Sequence, residues 1–203
     1  MRSEPYPWPY DRGPGESIDA RRLAVVVAGW QPFWLERVAG PVDLGVVLRA
    51  VDDLRAAGSV VLWVRHGAPG GSRRRPTHLP TVGSSGWELL SVPAEADVVV
   101  DTPGFDAFLV EWTDLELRRR GRDRLVMAGL GTEGPVSATT RSANDRGYEC
   151  LTATDLVAHH DPLTGAAQLS SNCMSGGIFG AIGRAADLLA ELVPDPTLHL
   201  RAL

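Results

Sequence analysis

Residues 126–140 read VMAGLGTEGPVSATT, and within them Gly129, Gly131 and Gly134 have the spacing G-x-G-x-x-G. The run follows an apolar stretch and opens a helical pattern, the setting in which such glycines let backbone N–H groups approach a pyrophosphate. Asp155 stands downstream, roughly the ~20 residues at which an acid meets a ribose hydroxyl. Two features weigh against a dinucleotide. The glycines follow the fourth apolar strand instead of the first, and too little chain remains to complete a nucleotide-binding half.

The other reactive side chains are scattered. Cys150 and Cys173 form neither a spaced metal motif nor a disulfide framework. Cys150 reads as core, whereas Cys173, before Met174-Ser175-Gly176-Gly177, could stand near a pocket mouth as a thiol nucleophile. His66 ends the second strand pattern, and its nearest companion, His78, lies across a Pro-rich loop; with an acid the two could hold a metal, but no spaced ligand set supports one. Glu133 is the only ionisable side chain in the glycine turn. It can face a pocket or favour the positive end of the following helix. His159-His160, before Asp161-Pro162, reads as an exposed loop and turn, and Thr132, Ser137 and Thr139 lack a base at helical spacing.

These residues need a scaffold. Apolar runs at residues 23–28, 59–65, 97–100, 124–128 and 148–152 read as strands, the first buried on both faces as in a parallel sheet. Between them lie helical patterns. One starts near Gly40-Pro41, carries Val47, Ala50, Val51 and Leu54 on one face and stops at Gly58. A second has capping-box spacing from Thr113 and runs to Gly121. A third spans about Pro135 to Asp145, and a last runs over about 178–192 with Ile178, Ile182, Ala185 and Leu189 on one face. Residues 66–96 read mostly as loop. Alternating strands and helices imply one α/β domain with a mostly parallel sheet and right-handed crossovers, whose ligands bind beyond the carboxyl ends of the strands.

The 203 residues suit one domain, residues 21–203, behind a Pro-rich N-terminal arm, residues 1–20. A net charge of −5 argues against general nucleic-acid binding, and Arg73–Arg75 and Arg118–Arg120 read as solvated surface. The arm has no apolar signal core, and no stretch approaches the ~18 apolar residues of a membrane span, so a cytoplasmic protein without membrane contact is expected.

Taken together, several segments resemble the isochorismatase-like cysteine hydrolases, closest to the biuret and ureidoacrylate amidohydrolase branch. PYPWPYD resembles that branch's arm, and LAVVVAGWQPF the first family strand and its D-x-Q turn. VVVDTPGFDAF resembles the segment that carries the family lysine, LVMAGLGTEGPVSATTRSANDRGY the nucleophile strand and helix, and MSGGIFG a late segment. The resemblance implies a three-layer α/β/α sandwich (isochorismatase-like, Rossmann-like) and a homo-oligomer; no cofactor and no metal is expected, His66 lacking a clear companion. In such hydrolases an aspartate takes the thiol proton, a cysteine attacks an amide carbon, and backbone donors hold the oxyanion. It also implies a cis peptide, here at Gly131-Thr132.

Carried over by position, the aspartate becomes Gly29, the lysine Thr102 and the cysteine Pro135. The resemblance therefore implies a pseudoenzyme: a noncatalytic amidohydrolase homologue that binds a small amide or urea-like ligand or a partner protein, through a pocket drawn from Trp30, Gln31, His66, Asp101, Phe105, Gly131, Thr132, Glu133 and Cys173. The alternative is an active hydrolase of non-peptide C–N bonds with a site rebuilt on Glu133, Asp101, His66 or Cys173. Convergence of Glu133, Asp101 and His66 would favour that enzyme; a pocket filled by Trp30, Phe105 and the Pro135 ring would sink it.

Overall fold

The computed structural model describes residues 8–9, 17–70 and 78–192; Arg73–Arg75 and most of the N-terminal arm lie outside them. Six strands form one parallel sheet in the order β3-β2-β1-β4-β5-β6: β1 Leu23–Ala28, β2 Val60–His66, β3 Val98–Thr102, β4 Arg124–Leu130, β5 Glu149–Ala158 and β6 Ala181–Gly183. Every residue of β1 and β4 is buried, because helices cover both faces at the sheet centre and leave no solvent side to alternate toward.

Residues of opposite parity feed two cores. Val25, Val27, Trp63 and Val126 pack with Val47, Val51 and Leu54 of α2 (Leu44–Ala56) and with Ala185 and Leu188 of α6 (Ala185–Leu192). Val26, Leu62, Val100 and Met127 pack with Leu117 of α3 (Glu111–Arg119) and Ala143 of α4 (Ser137–Asp145). A one-turn α1 (Pro32–Leu35) follows β1, and α5 (Pro162–Gly177) follows β5. Trp8 and Ile18, from the stretch read as an arm, pack on the first core. No described helix is long and apolar enough to cross a membrane.

Several element boundaries differ from the sequence reading. Helix α2 begins past Pro41, where the Asp43 carboxylate accepts from the Val46 N–H at 3.1 Å. Helix α3 begins two residues before Thr113, whose hydroxyl donates to the Ala107 carbonyl instead of capping. The single helix expected over 178–192 is a strand followed by a helix. Gly180, at φ +117°, turns the chain so that Ile182 pairs with Thr152 in the sheet, and the Asp155 carboxylate then accepts from the Ala185 and Ala186 N–H groups at 2.7 and 3.2 Å. Asp155 is thereby a helix cap and not a ribose ligand. The unforeseen α5 starts where Asp161 caps Thr164 and Pro162 takes the first helical position. In the Arg118–Arg120 run, Arg118 pairs with Asp114, and both Arg119 and Arg120 with Glu116, so the run is largely neutralised.

Candidate functional site at the sheet centre

The chain departs in opposite directions from β1 and β4, which makes the crevice beyond their carboxyl ends the topological switch point, where open α/β sheets bind ligands. Gly29 leaves β1 there at φ +67°, and Gly131 leaves β4 at φ +79°. The glycine turn offers no anion cradle. Gly131 donates its N–H to Ala158 O at 3.0 Å and Gly134 donates to Gly131 O at 3.0 Å, so two of the three glycine amides are already used. Gly129 lies inside β4, opposite Ala28. The turn itself is a π-helical stretch, Thr132–Val136, anchored where the Thr132 hydroxyl donates to Ala158 O. Among the described residues the one cis peptide is Trp8-Pro9, so the Gly131-Thr132 bond is trans, contrary to the expectation; the left-handed conformation of Gly131 accomplishes the turn instead.

Gly29 and Pro135 face the same small volume, and it is occupied. A methyl group on Gly29 would stand 2.5 Å from Leu130 O, 3.1 Å from Trp34 Cδ1 and 3.3 Å from Pro135 Cγ. The Trp34 indole, 2% exposed, is the centre of an aromatic cluster. It meets Phe33 edge-on at 5.1 Å between ring centroids, tilts on Phe105 at 5.9 Å and stacks on His160 at 5.5 Å and 22°. Trp30, expected in the pocket, is instead fully buried within the first core, where it lies beside Trp63 and donates to Ser91 Oγ at 3.1 Å. Neighbouring side chains on an extended segment face opposite ways; Pro32 then starts one helical turn and swings Trp34 back over Gly29.

Gln31 is fully engaged. Its Nε2 donates to His66 O and Trp87 O at 3.1 and 2.7 Å, while its Oε1 accepts from the His66 N–H at 2.9 Å and Trp34 Nε1 at 3.2 Å. His66 is enclosed, with Nδ1 2.9 Å from Gly104 O, and burial lowers its pKa to about 4 despite that hydrogen bond. Thr102 is buried and donates to Asp106 O at 2.7 Å.

In front of this cluster opens a pocket of about 430 Å³, with Phe33, Trp34 and Phe105 as its apolar wall and Arg37, His78, Glu133 and His160 as its polar rim. Glu133 does not point to its own helix; its two oxygens accept from the His160 and Asp161 N–H groups at 3.1 and 3.0 Å and hold the loop that enters α5. His160, expected on the surface, is drawn inward by its stack on Trp34.

The remaining expected site residues do not converge here. Asp101 sits on the edge strand β3, in a two-point ion pair with Arg65 at 2.6 and 2.8 Å. Cys173 lies on α5 beside Ile182 of β6, in a separate apolar hollow with Leu169 and Ala166, and burial raises its pKa, which leaves a poor thiolate. Cys150 is buried in β5, where desolvation raises its pKa further. Among the described residues no group of three His, Cys, Asp or Glu side chains is placed to hold a metal. Trp34, Phe33, Arg37 and His160 were absent from the sequence-derived pocket. The available signal was volumetric: a glycine at a position where the resemblance implies a carboxylate leaves a space, and Pro32 starts a helical turn that can return Trp34 to fill it.

A parallel three-layer sandwich with a pocket at its switch point defines an open-sheet α/β protein. The isochorismatase domain matches residues 24–175, and the chain belongs to the isochorismatase family. Ureidoacrylate amidohydrolase RutB of Methylobacterium radiotolerans is 31% identical over 148 residues, 61% of this chain and 57% of that protein, so the match spans less than two-thirds of that relative's length. The uncharacterised isochorismatase family protein YwoC of Bacillus subtilis is 28% identical over 158 residues, 70% of this chain and 80% of that one. Among solved structures, a cysteine hydrolase from Pseudomonas syringae pv. phaseolicola shares the fold with a TM-score of 0.79 at 20% identity, covering 95% of this chain and 98% of that chain. Nicotinamidase PncA of Bacillus subtilis does so with a TM-score of 0.68 at 16% identity, covering 80% and 99%.

Proposed function

We propose that this chain is a noncatalytic member of its family, a degenerate amidohydrolase homologue that keeps the scaffold to bind a small amide or urea-like compound. One observation carries the reading: the space beside Gly29, where the family resemblance puts a carboxylate, is occupied by the Trp34 indole and the Pro135 ring against Leu130 O. Acyl transfer needs a nucleophile and a base within hydrogen-bond reach, with donors aimed at the developing oxyanion. Pro135 brings neither a nucleophile nor a backbone N–H. A rebuilt site on Glu133, Asp101, His66 or Cys173 would need groups that here serve a loop, an edge ion pair, an enclosed core position and a distant hollow.

Purified protein is expected to release no ammonia above the enzyme-free blank from biuret, ureidoacrylate-like amides, nicotinamide or carbamoyl amino acids. Glu133→Ala and Cys173→Ala variants belong beside it. Turnover by the parent that either variant abolishes would overturn the noncatalytic reading.

The partner in a homo-oligomeric version of this reading is a second copy of the chain. Leu109, Trp112 and Leu115, on and just before α3, are 54%, 45% and 63% exposed, and Trp112 and Leu115 line a surface hollow with Glu111 and Arg118. A two-fold interface must complement itself, and a face carrying both signs of charge beside apolar side chains can do so. Light scattering is expected to give a dimer or larger that Trp112→Glu shifts to monomer; a monomeric parent would remove this part of the proposal.

A further inference from the structure

We infer that Trp34 is a displaceable plug over a site for a small planar compound bearing a primary amide or urea NH2 group, received by Gln31 Oε1 and His66 Nε2. The inference rests on the noncatalytic binding reading and gives it an inner site and a recognition chemistry.

The acceptors are identified by their surroundings. A carbonyl oxygen only accepts, so the contact to Gly104 O puts the His66 proton on Nδ1, and Nε2 carries a lone pair. That nitrogen is buried and has no hydrogen-bond partner. Buried polar groups are usually satisfied, and an exception calls for an explanation. The depressed basicity of His66 keeps it neutral, hence an acceptor, through the physiological range. The group that meets the ring is Trp34, edge-on, at 6.4 Å and 90° between the rings.

Gln31 supplies the second acceptor. Its NH2 is committed to two carbonyls, so its orientation is fixed, and its oxygen takes the Trp34 indole N–H at 3.2 Å. The indole thus offers one N–H to Gln31 and none to His66. A ligand NH2 has two. One would replace the indole N–H at Gln31 Oε1, and the second would satisfy the nitrogen that the indole leaves bare. A flat ligand would also inherit the indole's contacts with Phe105 and His160.

Displacement is feasible on the geometry present. Trp34 belongs to a single helical turn of four residues, Pro32–Leu35, and the indole is a wall of the pocket of about 430 Å³, so it has room to rotate outward. No main-chain rearrangement of the sheet is required. A ligand that binds only the open state carries the penalty of opening, which removal of the indole abolishes.

The test uses calorimetry on the full chain with biuret and, separately, indole as probes. Indole should bind Trp34→Ala and not the parent, which shows that the variant is folded with its cavity open. Biuret should bind Trp34→Ala at least tenfold more tightly than the parent, and adding His66→Phe should weaken it at least tenfold. Equal biuret affinity in parent and Trp34→Ala, or no weakening by His66→Phe while indole still binds, overturns the inference. Should Trp34→Ala fail to fold, 15N NMR of the parent decides: the His66 Nε2 resonance must move at saturating biuret, and a stationary one overturns the proposal. Ammonia release by the parent would sink the noncatalytic reading alone and leave these affinity comparisons standing.

Discussion

Gly129→Ala is expected to abolish cooperative folding. Gly129 sits at φ +122°, beyond the small left-handed region that L residues tolerate. A methyl group there would lie 1.9 Å from Ala28 O and 2.8 Å from both Ala28 C and N, which is interpenetration with backbone and not with a yielding side chain. Ala28 is its partner across the β1–β4 ladder, at the centre of the sheet, and β4 shifts register against β5 between Met127 and Gly129. Relief would require two fully buried strands to part. That belongs with the exceptional substitutions above ~4–5 kcal/mol, against a total stability of about 5–15 kcal/mol for a domain. Circular dichroism melts and soluble yield read it directly. Gly121→Ala is the control: φ is +67° there with nothing within 4 Å of the added methyl, so only a left-handed strain of about 1–2 kcal/mol is expected. A Gly129→Ala protein melting as well as that control would show that the two strands can separate at modest cost.

The same glycine shows what the sequence could and could not tell. G-x-G-x-x-G records that three positions need a backbone without Cβ, but not why. Here Gly129 is needed for strand contact, Gly131 for a left-handed turn, and Gly134 for close packing on Phe105, 3.3 Å from an added Cβ. None of these needs a phosphate. Continuous apolar runs made β1, β2 and β4 legible, since burial on both faces suppresses polar residues. Strand β6 was not, because a strand of three residues, Ala181–Gly183, carries no period and Ile182 fits a helical stripe equally well. Helix α5 has Gly, Ser and Asn where an apolar stripe would announce it. At the site, the family resemblance pointed to the ends of β1 and β4, while the side chains that fill the crevice between them lie beyond the motif positions. Asp101 was legible as a residue next to Thr102, but whether it turned inward depended on strand parity, and it faces Arg65 at the edge.

Placing an aspartate at position 29 should cost about 3 kcal/mol and lower the melting temperature by roughly 6–12 °C for a chain of this size, without producing hydrolysis. Asp is among the residues that enter the left-handed region at lower cost, so φ +67° supplies only part of the penalty. The larger part is space and charge. The new Cβ would be 2.5 Å from Leu130 O, and its carboxylate would continue toward that oxygen or into the Trp34 and Pro135 rings, with no cation in the immediate contacts of the added Cβ. An ionised group placed there unpaired is destabilising. Combining Gly29→Asp with Thr102→Lys and Pro135→Cys should therefore yield a less stable protein that still releases no ammonia from biuret, since the added Cβ, 2.5 Å from Leu130 O, has no space in which to set its carboxylate against a thiol even when the indole is displaced. Adding Trp34→Ala should return part of the lost stability by removing the 3.1 Å side-chain contact, but not the part owed to Leu130 O. A double-mutant cycle on melting separates the two, because contacting residues couple and distant ones do not. Should the triple variant hydrolyse biuret with Trp34 intact, position 29 would hold a working carboxylate despite Leu130 O, and three side chains would be all that the noncatalytic reading rests on.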